Sequence, residues 1–525
     1  MSGSDPYDQF SYESIPFQDS HPRHLACLGR LFELPAAEPE FCRVLELGCA
    51  TGGNLIPMAW YQPRAQFIGI DLSANQIRQG QALISELGLT NIELRQGNIL
   101  DLGAELGGFD YIIAHGVYSW VPEPVRERLL SLARELLNPS GLFYLSFNTL
   151  PGWRMRGMLR DILRHSCRGI SDVRNRLGAA YAALTRLETA VQELQALSAR
   201  YLREEIKYLR AAHPSYLLYE YLAEENRAFL FSEFLQTAHH HRLDYLCDTQ
   251  LSYLFPSTFG EATERALEDI ADDMELEQWL DFVSTRNFRR SVLCRDDATP
   301  AAELSLDAFA EFSFGSDLTP PKRVDLRHHK PSVFHQPDAT PVEVRHPLSK
   351  ALLLEMHERQ PDLLHLRELL PGAEQRLFAA GGREHAQAYD GCLMELFSLF
   401  AHRALTATPT DSCFSDSMGP APCTNRLAKA QVRRGYTYVA TARHTSLDLD
   451  SLSARLVLLL DGKRNSEELA GLLMNELQAG TLEPPPGLSL KSWSQEKLRT
   501  RFEQSCRELI GLFSRQGVLT SASAE

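Results

Sequence analysis

The chain has 525 residues, too many for one compact core at roughly 100 to 200 residues per domain, and its 44% hydrophobic and 23% charged content is that of a globular protein. A formal net charge of −15 argues against nucleic acid as the main partner, because phosphate binding needs a basic surface, and mildly favours a basic protein segment instead. The start of the chain carries no basic segment followed by an apolar one, no apolar run approaches the about 18 residues of a membrane span, and the ten Cys form no C-x-x-C pair, so the expectation is a cytoplasmic protein with reduced thiols and no metal.

Residues 42–148 alternate short apolar or β-branched runs with amphipathic helical stretches, the pattern of a parallel sheet covered on both faces. Strands are predicted at 43–47, 66–70, 91–95, 110–114 and 141–146. Helices are predicted over 73–87, between a Ser N-cap and Gly88, and over 124–137, ended by Asn138-Pro139. From 157 to 210 the pattern turns to long, charged, Leu- and Arg-rich helices, one of them spanning 189–202. A helix over 228–241 leads into strand-like residues 243–247, and 287–294 also alternates, so these two strands can complete the same sheet.

Residues 296–346 are rich in Pro, Asp and Ser and read as a loop-rich connection. Amphipathic helices follow over 348–361, 375–405, 449–460 and 466–477, with a Pro/Cys/Ser-rich interruption at 406–424 and an exposed loop at 483–487. The predicted units are 1–156, 157–212, 213–296, a linker 297–346, and a mainly helical module 347–525.

The segment with most chemistry in it is Val44-Leu-Glu-Leu-Gly-Cys-Ala-Thr-Gly-Gly-Asn54, a strand entering a glycine-rich turn that opens a helix. Gly48 and Gly52 let backbone approach a ligand where a side chain would collide. The run is neither a GxGxxG dinucleotide fingerprint nor a Lys-Ser/Thr-ended phosphate loop. The sulfonium and amino-acid ends of S-adenosylmethionine suit it better than a pyrophosphate. The second predicted strand ends at Asp71, whose carboxylate can accept both ribose hydroxyls of an adenosine ligand.

After the third strand, Asn98 stands where an acceptor for an adenine amino group is expected. His115-Gly-Val-Tyr-Ser-Trp-Val-Pro122 follows the fourth strand and Phe147-Asn-Thr-Leu-Pro-Gly-Trp153 the fifth, which sets aromatic and polar side chains around the place of a transferred methyl. Tyr118, Trp120 and Trp153 can also hold an alkylated ammonium against their rings, or serve as plain packing. The full cofactor set assigned on this reading is Glu46, Gly48, Cys49, Ala50, Gly52 and Asn54, then Asp71 and Leu72, Asn98 and Ile99, and His115 and Gly116.

Tyr12-Glu-Ser-Ile-Pro-Phe17, His21-Pro22, the run from Glu46 to Met58, His115 to Pro122 and Asn148 to Trp153 together resemble the bacterial methyltransferases that carry a methyltransferase regulatory domain, a family that includes the rickettsial outer-membrane-protein lysine methyltransferases. Ser215-Tyr-Leu-Leu-Tyr-Glu-Tyr-Leu222, Phe231-Ser-Glu-Phe234 and Asn287 to Arg295 extend the likeness, as do Arg443-His444 and Leu460-Asp-Gly-Lys463 more faintly. The resemblance implies an α/β fold: a Rossmann-like class I methyltransferase core with a helical insertion, plus a mainly helical C-terminal module of winged-helix type.

It further implies S-adenosylmethionine as cofactor and N-methylation of lysine in a protein substrate. The chain departs from the family at Tyr219, where His is the family residue, and at Phe147 and Leu150, where it carries Tyr. An unperturbed lysine, with a pKa near 10.4, attacks only when neutral, so a lysine-directed site needs burial or an acceptor, for which Tyr219 and Glu220 are the candidates. Methylation of a small molecule, and a cofactor-sensing regulator on a degenerate methyltransferase fold, stay open as alternatives, and a homodimer is among the assemblies the sequence allows.

Overall fold

The structure is a computed structural model that describes residues 14–381, 388–411, 421–483 and 495–520. Tyr12, Glu13 and the loop residues 484–487 lie outside the described residues, as do residues 412–420 of the interruption at 406–424.

Seven strands form the central sheet: β1 (Arg43–Leu47), β2 (Gln66–Asp71), β3 (Ile92–Gln96), β4 (Phe109–Ala114), β5 (Leu137–Asn148), β6 (Leu243–Asp248) and β7 (Phe288–Arg295). Their spatial order is β3-β2-β1-β4-β5-β7-β6. β1 to β5 run parallel, while β7 is antiparallel to both β5 and β6. The order reverses between β1 and β4, and in open sheets of this kind ligands bind outside the C-terminal strand ends at that switch point. Helices cover both faces, so β1 is buried from Val44 to Leu47 and its sequence is almost continuously apolar.

Local sequence explains the first elements. The helix Ala74–Leu87 starts where the Ser73 hydroxyl accepts the Gln76 N–H (3.2 Å) and stops at Gly88, whose φ of +69° only glycine adopts freely. β5 is longer than predicted and absorbs Asn138-Pro139, because Leu137 pairs with Phe109 ahead of a register shift in β4.

Three expectations need correction. The helix expected over 189–202 is broken: Val173–Val191 and Leu197–Ala211 are separate helices, and both turn apolar residues, among them Leu184, Leu202 and Ile206, into one cluster with Leu217 and Tyr221. A single straight helix would leave one of those faces in water. The 296–346 stretch holds a helix, Leu306–Ala310, and three short strands, and its Phe309, Phe312, Phe314 and Phe334 are buried. One of those strands, Ser313–Gly315, is the middle of a three-stranded sheet with Leu364–His365 and Thr406–Thr408, so these phenylalanines are core. The helical residues expected over 375–405 divide into Leu366–Ala380 and Ala388–Ala401.

Beyond residue 421 the helices Arg426–Arg433, Ser451–Leu459, Ser466–Gln478 and Gln495–Arg515, with a hairpin of Tyr438–Ala440 and Ser446–Asp448, enclose a core of their own around Leu456, Leu473 and Phe513. This module docks beside the glycine-rich turn: Arg434 pairs with Glu86 at 2.8 Å, and the Tyr61 hydroxyl donates to the Gly517 carbonyl at 3.0 Å.

Candidate active site

The turn after β1 is tied to the end of β2 through backbone. The N–H groups of Gly48 and Cys49 both donate to the Ile70 carbonyl, at 2.8 and 3.1 Å. Gly48 has φ +79°, and a Cβ there would lie 2.5 Å from the Val117 side chain; Gly52 has φ +76°. Asp71 accepts the Ala50 N–H on Oδ2 and the Ser73 N–H on Oδ1, both at 2.8 Å. Turn and carboxylate therefore sit on the same side of the sheet, side by side.

Beneath the turn, Glu46 is 3% exposed. Its Oε1 accepts from the Asn54 amide at 2.8 Å, while Oε2 is buried with no hydrogen-bond partner among the described residues. Burial raises the Glu46 carboxyl to about 8, the Asn54 hydrogen bond opposing and Asp71 adding to the rise. A buried acceptor left without a donor is costly and marks a place for a cationic or N–H-bearing ligand group.

Around this centre, Leu72 is 59% and Leu100 45% exposed, large apolar side chains open at the strand ends. Asn98 caps the next turn, its Oδ1 accepting the Leu100 N–H at 3.1 Å, with Ile99 half-buried beside it. Cys49 is buried, and burial pushes its thiol well up, so it can meet a ligand through backbone only. His115 stacks on Phe17, with centroids 3.7 Å apart, and its Nδ1 lies 2.8 Å from the Tyr144 hydroxyl. Burial, with Arg290 adding to it, lowers His115 to about 3, so the ring is neutral. Gly116, at φ +67°, donates to the Ser146 hydroxyl at 2.8 Å, and among the described residues nothing lies within 4 Å of where its Cβ would be.

The aromatic residues divide. The ring of Tyr118 is 2% exposed and packs among Phe229 (5.1 Å), Phe234 (5.6 Å) and Phe147 (6.2 Å), which is a core position. Phe147 itself is fully buried, so this departure from the family lies in the same core. Tyr219 is 4% exposed inside the helical insertion. Trp120 is half-buried, and its indole N–H has no partner among the described residues. Trp153 opens the helix after β5 and lies under the Arg156 guanidinium, 5.8 Å from the ring centroid. Arg156 also donates to the Tyr216 hydroxyl at 2.9 Å and pairs with Glu205 at 3.3 Å. Next to them, Leu217–Tyr221 forms a π-helical turn, a distortion frequent at functional sites. On it sits Glu220, which burial raises to about 8 against the opposing charge of Arg156.

Two sets of residues have members in segments that carry the family resemblance, but their contacts are visible only in the fold. Arg289, fully buried, is held by Asp281 (2.8 Å), Asp248 (3.1 Å) and Glu277 (2.9 Å). This cluster carries the turn that ends at Trp153, since Thr149 donates to Asp281 and the Gly152 N–H to the Arg286 carbonyl at 3.1 Å. The second set is Ser14 and His444: the Gly53 N–H donates to the Ser14 hydroxyl at 3.0 Å, and His444 reaches Asn54 at 2.8 Å. Neither set of contacts has a local sequence signal.

Residues 44–141 match the family described as a methyltransferase domain, and residues 213–295 the one described as a predicted methyltransferase regulatory domain. Protein RP789 of Rickettsia prowazekii, itself uncharacterized, is 33% identical over 383 residues, covering 72% of this chain and 69% of that protein. The chain belongs to the S-adenosylmethionine-dependent class I methyltransferases with a regulatory domain. In this methyltransferase, residues 421–518 further match the C-terminal winged-helix domain described for PKMT. PKMT2 from Rickettsia typhi, solved in complex with AdoHcy, has the same fold at a TM-score of 0.85 and 25% identity, covering 97% of this methyltransferase and 99% of that chain. Protein sll1526 of Synechocystis is 26% identical over 323 residues, 59% of this chain and 62% of its own. Among the described residues, no helix is long and apolar enough to cross a membrane.

Proposed function

We propose that this methyltransferase moves the methyl group of S-adenosylmethionine onto the side-chain amine of lysine in a protein. The observation that carries the cofactor half is the Ala50–Asp71 hydrogen bond, which sets the glycine turn and the carboxylate against one space. The residues fit the molecule. The Asp71 carboxylate is an acceptor of the kind ribose hydroxyls need, the exposed Leu72 offers an apolar face to adenine, and Glu46 Oε2, without a hydrogen-bond partner among the described residues, suits the ammonium of the amino-acid end. Gly116, open on its Cβ side, leaves room for the sulfonium. Cys49 and Ala50 contribute as backbone, and Asn54 through its hold on Glu46. The cofactor, when bound, supplies an electrophilic methyl.

The lysine half is supported by the likeness to PKMT2, a protein-lysine methyltransferase, and by the groups at the insertion. The amine must arrive neutral, attack the methyl in line and shed a proton as the carbon–sulfur bond breaks. Glu220, partly buried and held near neutrality, is the group placed to accept that proton, and Trp153 and Trp120 shield the path from water. Tyr118 and Tyr219 act as scaffold, because their rings are buried in apolar clusters.

The test supplies S-adenosylmethionine carrying a tritiated methyl to the full chain together with a bacterial protein extract. Label recovered as methylated lysine after acid hydrolysis is the expected result; label found in small molecules only would overturn the substrate class.

A further inference from the structure

The C-terminal winged-helix module reaches the cofactor turn through Tyr436, which bonds Thr51, and through one tight loop. Residues Thr441 to Thr445 close the hairpin, with the His444 N–H on the Thr441 carbonyl at 3.0 Å and the two threonine hydroxyls 2.7 Å apart. His444 sits at φ +58°, a conformation that few non-glycine residues adopt and that persists where the surroundings impose it. The surroundings are plain: Arg443 next to it is bound to Asp317 at 2.8 Å and to the Pro361 carbonyl at 3.1 Å, and the His444 ring lies against His21, with centroids 4.7 Å apart. The His444 ring leaves the winged-helix module and is 3% exposed under the glycine turn.

There the bonding has a definite direction. The Phe17 N–H donates to Asn54 Oδ1 at 2.9 Å, which identifies that atom as the carbonyl oxygen, so His444 Nε2, at 2.8 Å from the same oxygen, must be a donor. The ring is neutral, since burial lowers His444 to about 3. With its oxygen held on one side by two donors, the Asn54 amide is turned so that its nitrogen donates to the Ser20 hydroxyl (3.0 Å) and to Glu46 Oε1 (2.8 Å). One Glu46 oxygen is thereby engaged and the other faces an unfilled need.

We propose that His444 is a positioning residue for cofactor binding: through Asn54 it holds Glu46 so that the free carboxylate oxygen meets the amino group of S-adenosylmethionine, which makes the winged-helix module part of the cofactor site. The inference rests on the reading of the glycine turn as the cofactor site. It accounts for a buried histidine projecting from one module into another.

Calorimetry on the full chain tests it with two ligands, S-adenosylmethionine and 5′-methylthioadenosine, the second of which lacks the amino-acid end. His444→Ala removes one buried hydrogen bond and should weaken S-adenosylmethionine by about five- to tenfold while leaving methylthioadenosine within about twofold. His444→Gln, which restores an N–H donor, should recover most of the loss. Unchanged S-adenosylmethionine affinity in His444→Ala, or equal weakening of both ligands, would overturn the positioning role and leave the cofactor site standing. Failure of the unsubstituted chain to bind either ligand would overturn the reading of the turn and the inference with it.

Discussion

At the proposed cofactor end of the site the contacts are made by backbone, with the N–H groups of Gly48, Cys49 and Ala50 fixed on Ile70 and Asp71, whereas at the insertion end they are made by side chains, with Arg156 set among Trp153, Tyr216 and Glu205. Backbone contacts depend on glycine placement and tolerate many side chains around them. Side-chain clusters depend on each member. The cofactor end should therefore fail only at a few positions, and the insertion end should respond in graded steps.

The largest effect is expected where charge is buried under the insertion side. Arg289→Ala leaves Glu277 without its cation and Asp248 and Asp281 with Arg286 alone, and should cost about 3–5 kcal/mol in chemical denaturation. A loss below 1 kcal/mol would show that the cluster does not support the Thr149–Trp153 turn. At the cofactor end, Gly48→Val adds both a strained φ and a clash with Val117, and should reduce cofactor affinity by about 100-fold or more with far-ultraviolet dichroism unchanged.

Glu220→Gln should lower kcat/KM by about 100-fold. Burial raises this carboxyl to about 8, so the proton-accepting form dominates above that pH: the rate of the unsubstituted enzyme should climb as pH rises through about 8, and Glu220→Gln should lack that inflection. The smallest effect concerns Glu46, also raised to about 8 and therefore protonated in the free enzyme near neutrality. An ammonium beside it favours the carboxylate, so cofactor binding should expel a proton and tighten by up to about tenfold between about pH 6 and 7. Glu46→Gln should remove that dependence, as titrations in buffers of different ionisation enthalpy would show.

Local features of the fold and site were legible in the sequence for a physical reason: Gly48, Asp71, the Ser73 cap and Gly88 act on neighbours within a few residues or one strand away. What escaped was set by distance and by facing. His444 meets Asn54 from 390 positions away, and no local pattern encodes that. Tyr118 follows β4 where a site wall is expected, yet its ring turns into the core, and residue type alone does not give that direction. Arg289 looked like the polar half of an alternating strand. Because β7 lies between β5 and β6 with both faces covered, that side chain is buried and needs three carboxylates around it.

The central claim is that the glycine turn and Asp71 together grip the adenosyl sulfonium. Calorimetric titration of S-adenosylmethionine into the full chain and into Asp71→Ala tests it most directly. Saturable binding that disappears in Asp71→Ala, with an unchanged dichroism spectrum, is the expected result; equal affinity in the two proteins would contradict it.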